Sequence, residues 1–289
     1  MDAGPDTESP HECTVLFDGH NMLFRYFWGM PRTITSTDGQ AIHGAYGFVA
    51  AVIQHLHRFT PGKAIVCLDS EGPPMRTGEL GSYKGNRQWA YTGVDENPFS
   101  QLRFIEEALS VLGVGVLAVP GVEADDLIAT CTRRLRGEGH VYIASMDQDL
   151  LQLVDGSVSV YQRRGKREWL YSPTDIEAKY GVHVNQFIAW KALVGDASDN
   201  LRGVPMVGPA TATMLLQRFG TLEAIYSNLD SLRPRLASSL RDGRDLAWRN
   251  IKLLTLRDEI EVEDVRLTLC PPPVLTLKVR DVFKQLGYL

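Results

Sequence analysis

Residues 143–150 read IASMDQDL, an apolar, strand-like run that passes into a turn carrying Asp147 and Asp149. Residues 14–18, TVLFD, and 64–69, AIVCLD, have the same layout and end in Asp18 and Asp69. Acids at the ends of such runs fall where an open parallel sheet gathers its ligand-binding side chains in one crevice. Further along, residues 120–129, PGVEADDLIA, add Glu123, Asp125 and Asp126, and residues 195–200, GDASDN, add Asp196 and Asp199. Carboxylates converging in such numbers repel one another strongly unless divalent cations neutralise them. Oxygen-only ligands select magnesium or manganese, and two or more ions are expected.

The charge balance neither excludes nor demands a phosphate backbone as partner. The chain has 30 Lys and Arg against 35 Asp and Glu, a net charge of -5. Setting the nine proposed ligands aside leaves 26 acids and turns the balance positive, so the basic footprint of a nucleic-acid binder is weak but not contradicted. A length of 289 residues suits about two domains with ample core. No apolar run approaches the roughly 20 residues of a membrane span. Residues 1–12, MDAGPDTESPHE, are polar and acidic, unlike a signal peptide. A cytoplasmic protein without a membrane partner is expected. Cys13, Cys67, Cys131 and Cys270 lack metal-type spacing and read as buried, reduced thiols. His55 and His57 are two apart, so they point to different faces of a helix and make a poor zinc pair.

Residues 1–12 read as a disordered tail and residues 13–172 as an α/β domain. Thr14 to Asp18 predicts a strand, residues 42–59 a helix and Lys63 to Asp69 a second strand. Between Glu71 and Pro98 periodicity disappears, and Arg76, Tyr83, Lys84, Arg87, Trp89 and Tyr91 are interspersed with glycines. A structureless run that long is functional or disordered. A helix over 98–112, a strand over 115–119, the helix opened by Glu123 and the strand 141–145 complete an alternating pattern. Residues 158–161 and 169–171 predict a hairpin whose tip, RRGKR at 163–167, reads as solvated. From Pro173 the pattern is helical, and the domain boundary is placed there. Within residues 201–220, LRGVPMVGPATATMLLQRFG, the turns at Gly203 and Gly208 lead into a helix near Pro209. Backbone N–H groups at that helix start could meet a phosphate without reading bases.

The ordered set LFDGHNMLFR (16–25), VCLD (66–69), SYKGNR (82–87), PGVEADDLIA, MDQDLLQLV (146–154) and GDASDNLRGVPMVGPATA (195–212) resembles the bacterial 5′ nuclease family. That family comprises the 5′ to 3′ exonuclease domain of DNA polymerase I and its free-standing flap endonuclease relatives. A lone Asp at a strand end is usually a turn residue or a cap; nine in the family order reverse that judgement, and the resemblance implies that they are ligands. The resemblance implies a PIN-like nuclease core with a parallel-rich central sheet and a flexible arch at about 71–98. It also implies a helical domain over 173–289, whose helix-three-turn-helix at about 190–220 grips duplex DNA and often holds K+ through backbone carbonyls. It places Arg25, Tyr83, Lys84 and Arg87 near the scissile phosphate and assigns Arg76 to the substrate. The arch departs from the family pattern: Arg76-Thr77-Gly78-Glu79-Leu80 displaces a Glu by one and replaces a Tyr with Leu80.

The mechanism this implies is two-metal hydrolysis of a phosphodiester, leaving a 5′-phosphate. Asp18, Asp69, Glu123, Asp125, Asp147 and Asp149 are assigned chiefly to the tighter Mg2+ or Mn2+ site. Asp126, Asp196 and Asp199 are assigned to the weaker one, and Lys84 and Arg87 offset charge developing on the phosphate. The expected partner is DNA with a 5′ end or 5′ flap next to duplex, in replication or repair, acted on by a monomer. No polymerase sequence follows, so a free-standing enzyme is expected. Two alternatives compete. A PIN-type ribonuclease has no need of GDASDN and the hairpin after it, and a non-catalytic junction binder would have lost carboxylates.

Overall fold

Strand β1 (Cys13–Asp18) faces two cores at once. Val15 and Phe17 are buried on one side and Leu16 on the other, as the period of two in a strand requires. Covered on both faces, it is the hinge of a six-stranded sheet in the order β3-β2-β1-β4-β5-β6. In this computed structural model residues 13–69, 97–262 and 271–289 are described. The expected tail at 1–12 and nearly all of the arch lie outside them.

β1 pairs in parallel with β2 (Lys63–Cys67), Phe17 opposite Val66, and with β4 (His140–Ala144), Phe17 opposite Ala144. β3 (Gly115–Leu117) and β5 (Val158–Arg164) extend the parallel run on either side. Only β6 (Arg167–Tyr171) is antiparallel, returning from β5 through a tip at Gly165, whose φ is 64°. From β1 the sheet therefore grows one way through β2 and β3 and the other way through β4 and β5. The crevice of such a sheet opens at that reversal, beyond the carboxyl ends of β1 and β4.

One face is covered by α1 (Gly19–Gly29), α2 (His43–Phe59) and α3 (Leu102–Val111), and the other chiefly by α4 (Ala124–Leu135). His55 is buried edge-on to Phe17 and Tyr161 while His57 is exposed, so the two do point apart. Cys13, Cys67 and Cys131 are free thiols, the latter two buried.

The chain then turns helical. α5 (Pro173–Tyr180) starts on a reciprocal cap between Ser172 and Asp175 with Pro173 in the first turn. α6 (Val184–Val194), the short β7 (Gly195–Asp196) and β8 (Leu201–Arg202), α7 (Pro209–Phe219), α8 (Leu222–Ser227), α9 (Pro234–Asp242) and α10 (Arg244–Leu254) follow. Leu193, Val204, Leu215, Leu216 and Leu240 form a third core. Because α6 gives Phe187 to the second core and Leu193 to the third, it joins the two regions.

The C-terminal residues do not stay with that helical region, where the sequence reading put them. α11 (Val279–Gln285) returns to the first core, burying Val282 and Phe283 with the Phe283 ring 5.5 Å from Tyr46. The Thr37 amide donates to the Tyr288 carbonyl at 2.9 Å. Burying a Phe and a Val is worth about 1.5–3 kcal/mol each, and α2 and α3 supply the apolar surface. Among the described residues no helix is long and apolar enough to cross a membrane.

Candidate active site

Asp18 ends β1 and caps α1, accepting from the Asn21 amide at 3.0 Å. Its other oxygen accepts from Ser145 Oγ at 2.5 Å, and that hydroxyl accepts from the Asp147 amide at 2.9 Å. Ser145 thus bridges the carboxyl ends of β1 and β4 across the switch point. Sequence reading did not single it out; a polar residue closing a buried strand two positions before an acid was the available signal. Asp69, just past β2, accepts from the Ala124 amide at 2.7 Å. This pins the start of α4, which carries Glu123 as its cap and Asp125 in its first turn. Asp147 accepts from the Asp149 amide at 2.8 Å. His20 Nδ1 lies 3.4 Å from Asp69, and its ring packs against Phe24 and Phe99.

These acids are close enough to govern one another's charge. Burial, with added repulsion from Asp147 and Asp69, pushes the Asp18 carboxyl up to about 7 against the opposing bonds from Ser145 and Asn21. Burial and the charges of Asp147 and Asp199 push Asp149 up to about 6, although Lys191 pulls the other way. Asp125 and Asp18 also act on Cys67, whose thiol is raised first by its bond with Cys131 and then by burial.

A second set of acids is held by bases. The Lys191 ammonium bonds to Asp149 and, at 2.6 Å, to Asp196. Asp196 also accepts from the Ser198 amide at 2.8 Å. Burial would raise the Asp196 carboxyl, but the bonds from Lys191 and Ser198 prevail and hold it below the usual range. Asp126 is fully buried, and both its oxygens face Arg257: the Arg257 amide at 2.9 Å, Nε at 2.8 Å and Nη2 at 2.7 Å. In this arrangement Asp126 ties the segment after α10 to α4. Asp199 is buried beside the cluster.

The donor set fits hard divalent cations. It is all oxygen, and among the described residues no Lys or Arg lies within ion-pair distance of Asp18, Asp69 or Asp147. Among the described residues no three His, Cys, Asp or Glu side chains surround a single point as a closed ion site. Lys191 and Arg257 turn Asp149, Asp196 and Asp126 toward themselves.

The residues expected at the substrate are dispersed. Arg25 donates to the Arg163 carbonyl at 2.5 Å, reaching from α1 to the β5–β6 hairpin. Gly203 has a packing reason: a Cβ there would sit 2.1 Å from the Val194 carbonyl oxygen. The end of α6, not open space, stands beside it. Gly208 is different, since it caps α7 with nothing within 4 Å of the place a Cβ would take. Arg76, Tyr83, Lys84 and Arg87 lie outside the described residues.

A mostly parallel sheet with acids gathered at its switch point, followed by a helical domain, defines a resolvase-like nuclease fold. Residues 13–181 match the 5'-3' exonuclease N-terminal resolvase-like domain and residues 182–272 the 5'-3' exonuclease C-terminal SAM fold. The chain belongs to the 5'-3' exonuclease family. The two matches meet just after α5, whose Ile176 is buried in the second core, so α5 falls on the N-terminal side of the junction. DNA polymerase I of Caldicellulosiruptor bescii is 33% identical over 261 residues, and thermostable DNA polymerase I of Thermus aquaticus 34% over 251. These alignments cover 87% and 85% of this chain but only 30% and 29% of those proteins. A bacteriophage T5 flap endonuclease variant, solved as a pseudo-enzyme–product complex with DNA and metal ions, is 25% identical with a TM-score of 0.71. That likeness covers 94% of this chain and 98% of the phage protein. The catalytic core of Rad2, solved with a DNA substrate, shares the fold at 17% identity and a TM-score of 0.62, over 96% of this chain and 89% of that one.

Proposed function

We propose that this chain is a divalent-cation-dependent, structure-specific DNA 5′ nuclease that cuts at a 5′ end or 5′ flap beside duplex and leaves a 5′-phosphate. The observation that carries this reading is the Ser145 bridge, which brings Asp18 and Asp147 together at the switch point with no Lys or Arg on either among the described residues. Two bound Mg2+ or Mn2+ ions would activate the attacking water and neutralise charge on the phosphoryl and leaving oxygens. Asp18, Asp69, Glu123, Asp125 and Asp147 would hold the tighter ion, and Asp149, Asp196 and Asp199 would bias the weaker one. Asp126 acts at longer range through its pairing with Arg257. Lys84 and Arg87 supply positive charge from the arch, and Arg25, Arg76 and Tyr83 guide the strand.

The helical domain grips the duplex through backbone groups at the start of α7, where Gly208 leaves room for a phosphate. The left-handed turns at Asn200 and Met206, with φ of 57° and 62°, shape the loop in which we place a potassium ion. A monomer in the cytoplasm, acting in replication or repair, completes the reading.

A labelled 5′-flap duplex incubated with Mg2+, beside a matching RNA strand and an EDTA control, tests it. The DNA flap should be cut in Mg2+ alone, and the nicked product should be ligatable. Cleavage of the RNA with the DNA spared would make it a ribonuclease; binding without cleavage would make it a junction binder.

A further inference from the structure

Among the described residues Lys191 is the one base that reaches between two of the acids assigned to cations, and it is less accessible than either of them. It is 4% exposed, in the last turn of α6, and Asp149 is 6% exposed. Its ammonium bonds to an Asp149 oxygen and, at 2.6 Å, to Asp196. An ammonium donates three hydrogen bonds and accepts none, so the oxygens it holds are turned toward it and away from any other cation. A magnesium ion in the same place would need carboxylate oxygens at about 2.0–2.1 Å. A neighbouring unit charge a few ångströms away in a desolvated site would oppose it strongly. The two cations therefore compete for the same oxygens. The four-carbon stem of a lysine, unlike a guanidinium locked in a bidentate fork, can withdraw and re-aim.

We propose that Lys191 is an internal counter-ion of the weaker cation site: it holds Asp149 and Asp196 together, and a divalent ion enters by displacing it. Loading of the site is then an exchange of one positive charge for another. The exchange keeps apparent affinity low while preventing the two carboxylates from repelling each other when no ion is bound. The inference rests on the nuclease reading above, which supplies the cation.

Lys191→Met keeps the stem and removes the charge. Titrated with Mn2+ and followed by electron paramagnetic resonance, it should bind its weaker ion roughly ten-fold or more tightly than the unaltered chain. Its melting temperature should be lower in EDTA and rise further on Mn2+ addition. Lys191→Arg, which keeps the charge, should stay on the weak-affinity side. The unaltered protein gives a reading independent of any variant's folding. The Lys191 ammonium, bonded and shielded in EDTA, should show a 15N resonance that shifts or is lost as Mg2+ fills the second equivalent.

Equal Mn2+ affinity in Lys191→Met and the unaltered chain, or an ammonium resonance indifferent to Mg2+, would overturn the proposal. Weaker Mn2+ binding in Lys191→Met would also overturn it and make Lys191 an aligner of ligands. A chain that binds no Mn2+ at all, with Lys191 intact, would instead sink the nuclease reading on which the inference stands.

Discussion

The acids at the crevice and behind it are settled in two different ways. Asp18, Asp69 and Asp147 are fixed by backbone amides and the Ser145 hydroxyl, with no Lys or Arg on them among the described residues. Asp149, Asp196 and Asp126 are fixed by Lys191 and Arg257. Hydrogen bonds from amides and hydroxyls orient a carboxylate without cancelling its charge; an ammonium or guanidinium does both. The first set therefore keeps its demand for an external cation, whereas the second is already neutralised in part. On the proposed two-ion reading, this difference separates a site that would invite an ion from a site where an ion would have to compete.

The sharpest way to break the comparison is Asp147→Asn. It leaves the shape and removes one charge from the set that has no Lys or Arg partner among the described residues. Single-turnover cleavage of a 5′ flap in Mg2+ should fall by roughly 10³-fold or more, about 4 kcal/mol of transition-state stabilisation. Duplex binding should persist, because nothing that grips DNA has changed and repulsion is reduced. Cleavage near the unaltered rate would dissolve the distinction between the two sets.

Ser145→Ala should do less and act differently. The alanine keeps every carboxylate but removes the bridge between Asp18 and the Asp147 amide. Losing an orienting partner of a metal ligand typically costs about 10–100-fold in affinity or activity. The Mg2+ concentration for half-maximal rate should rise by that factor, and saturating Mg2+ should recover most of the rate. An unchanged Mg2+ dependence would mean that Ser145 only closes the strand.

Asp126→Asn measures the second set. With both carboxylate oxygens engaged by a half-exposed Arg257, the loss should appear mainly as stability, about 1–3 kcal/mol, discounted toward the lower end for solvent screening. Urea unfolding should show it, while Mn2+ affinity stays within a few-fold of the unaltered chain. A ten-fold loss of Mn2+ binding without loss of stability would return Asp126 to the ligands.

Which parts of this arrangement the sequence discloses depends on the range of the interaction. β1, β2 and β4 and their acids Asp18, Asp69 and Asp147 were legible because an apolar run ending in an acid is a local pattern. The start of α5 was legible for the same reason, through Ser172, Pro173 and Asp175. Lys191 and Arg257 were not, since each is an ordinary base in its own neighbourhood, and Asp149 and Asp126 lie 42 and 131 residues away from them. The return of Phe283 to the first core is equally invisible: a seven-residue helix shows an apolar face without naming what covers it. Gly203 is ambiguous, because a glycine spared for a phosphate and one spared for the Val194 carbonyl look alike in sequence.

The effect hardest to isolate concerns pH in EDTA, where Asp18 and Asp196 should pull in opposite directions. Burial, with the charges of Asp147 and Asp69, holds the folded Asp18 pKa at about 7, above its unfolded value. The folded chain therefore keeps this proton longer than the unfolded one, and stability attributable to Asp18 is lost as pH rises from about 4 through 7. Asp196 has a lowered pKa, so its contribution is present above the unfolded value and lost only as pH falls through the folded one. Buried His43 and His55, both lowered by desolvation, also lose stability on acidification, which would mask Asp18 in a bare profile. The difference between the unaltered chain and Asp18→Asn removes the histidines from the comparison. In EDTA the Asn variant should gain on the unaltered chain as pH rises from 5 to 8, and Mg2+ should erase the gain by supplying the missing charge. A difference that is flat with pH, or one that Mg2+ leaves intact, would show that Asp18 finds its counter-charge within the protein.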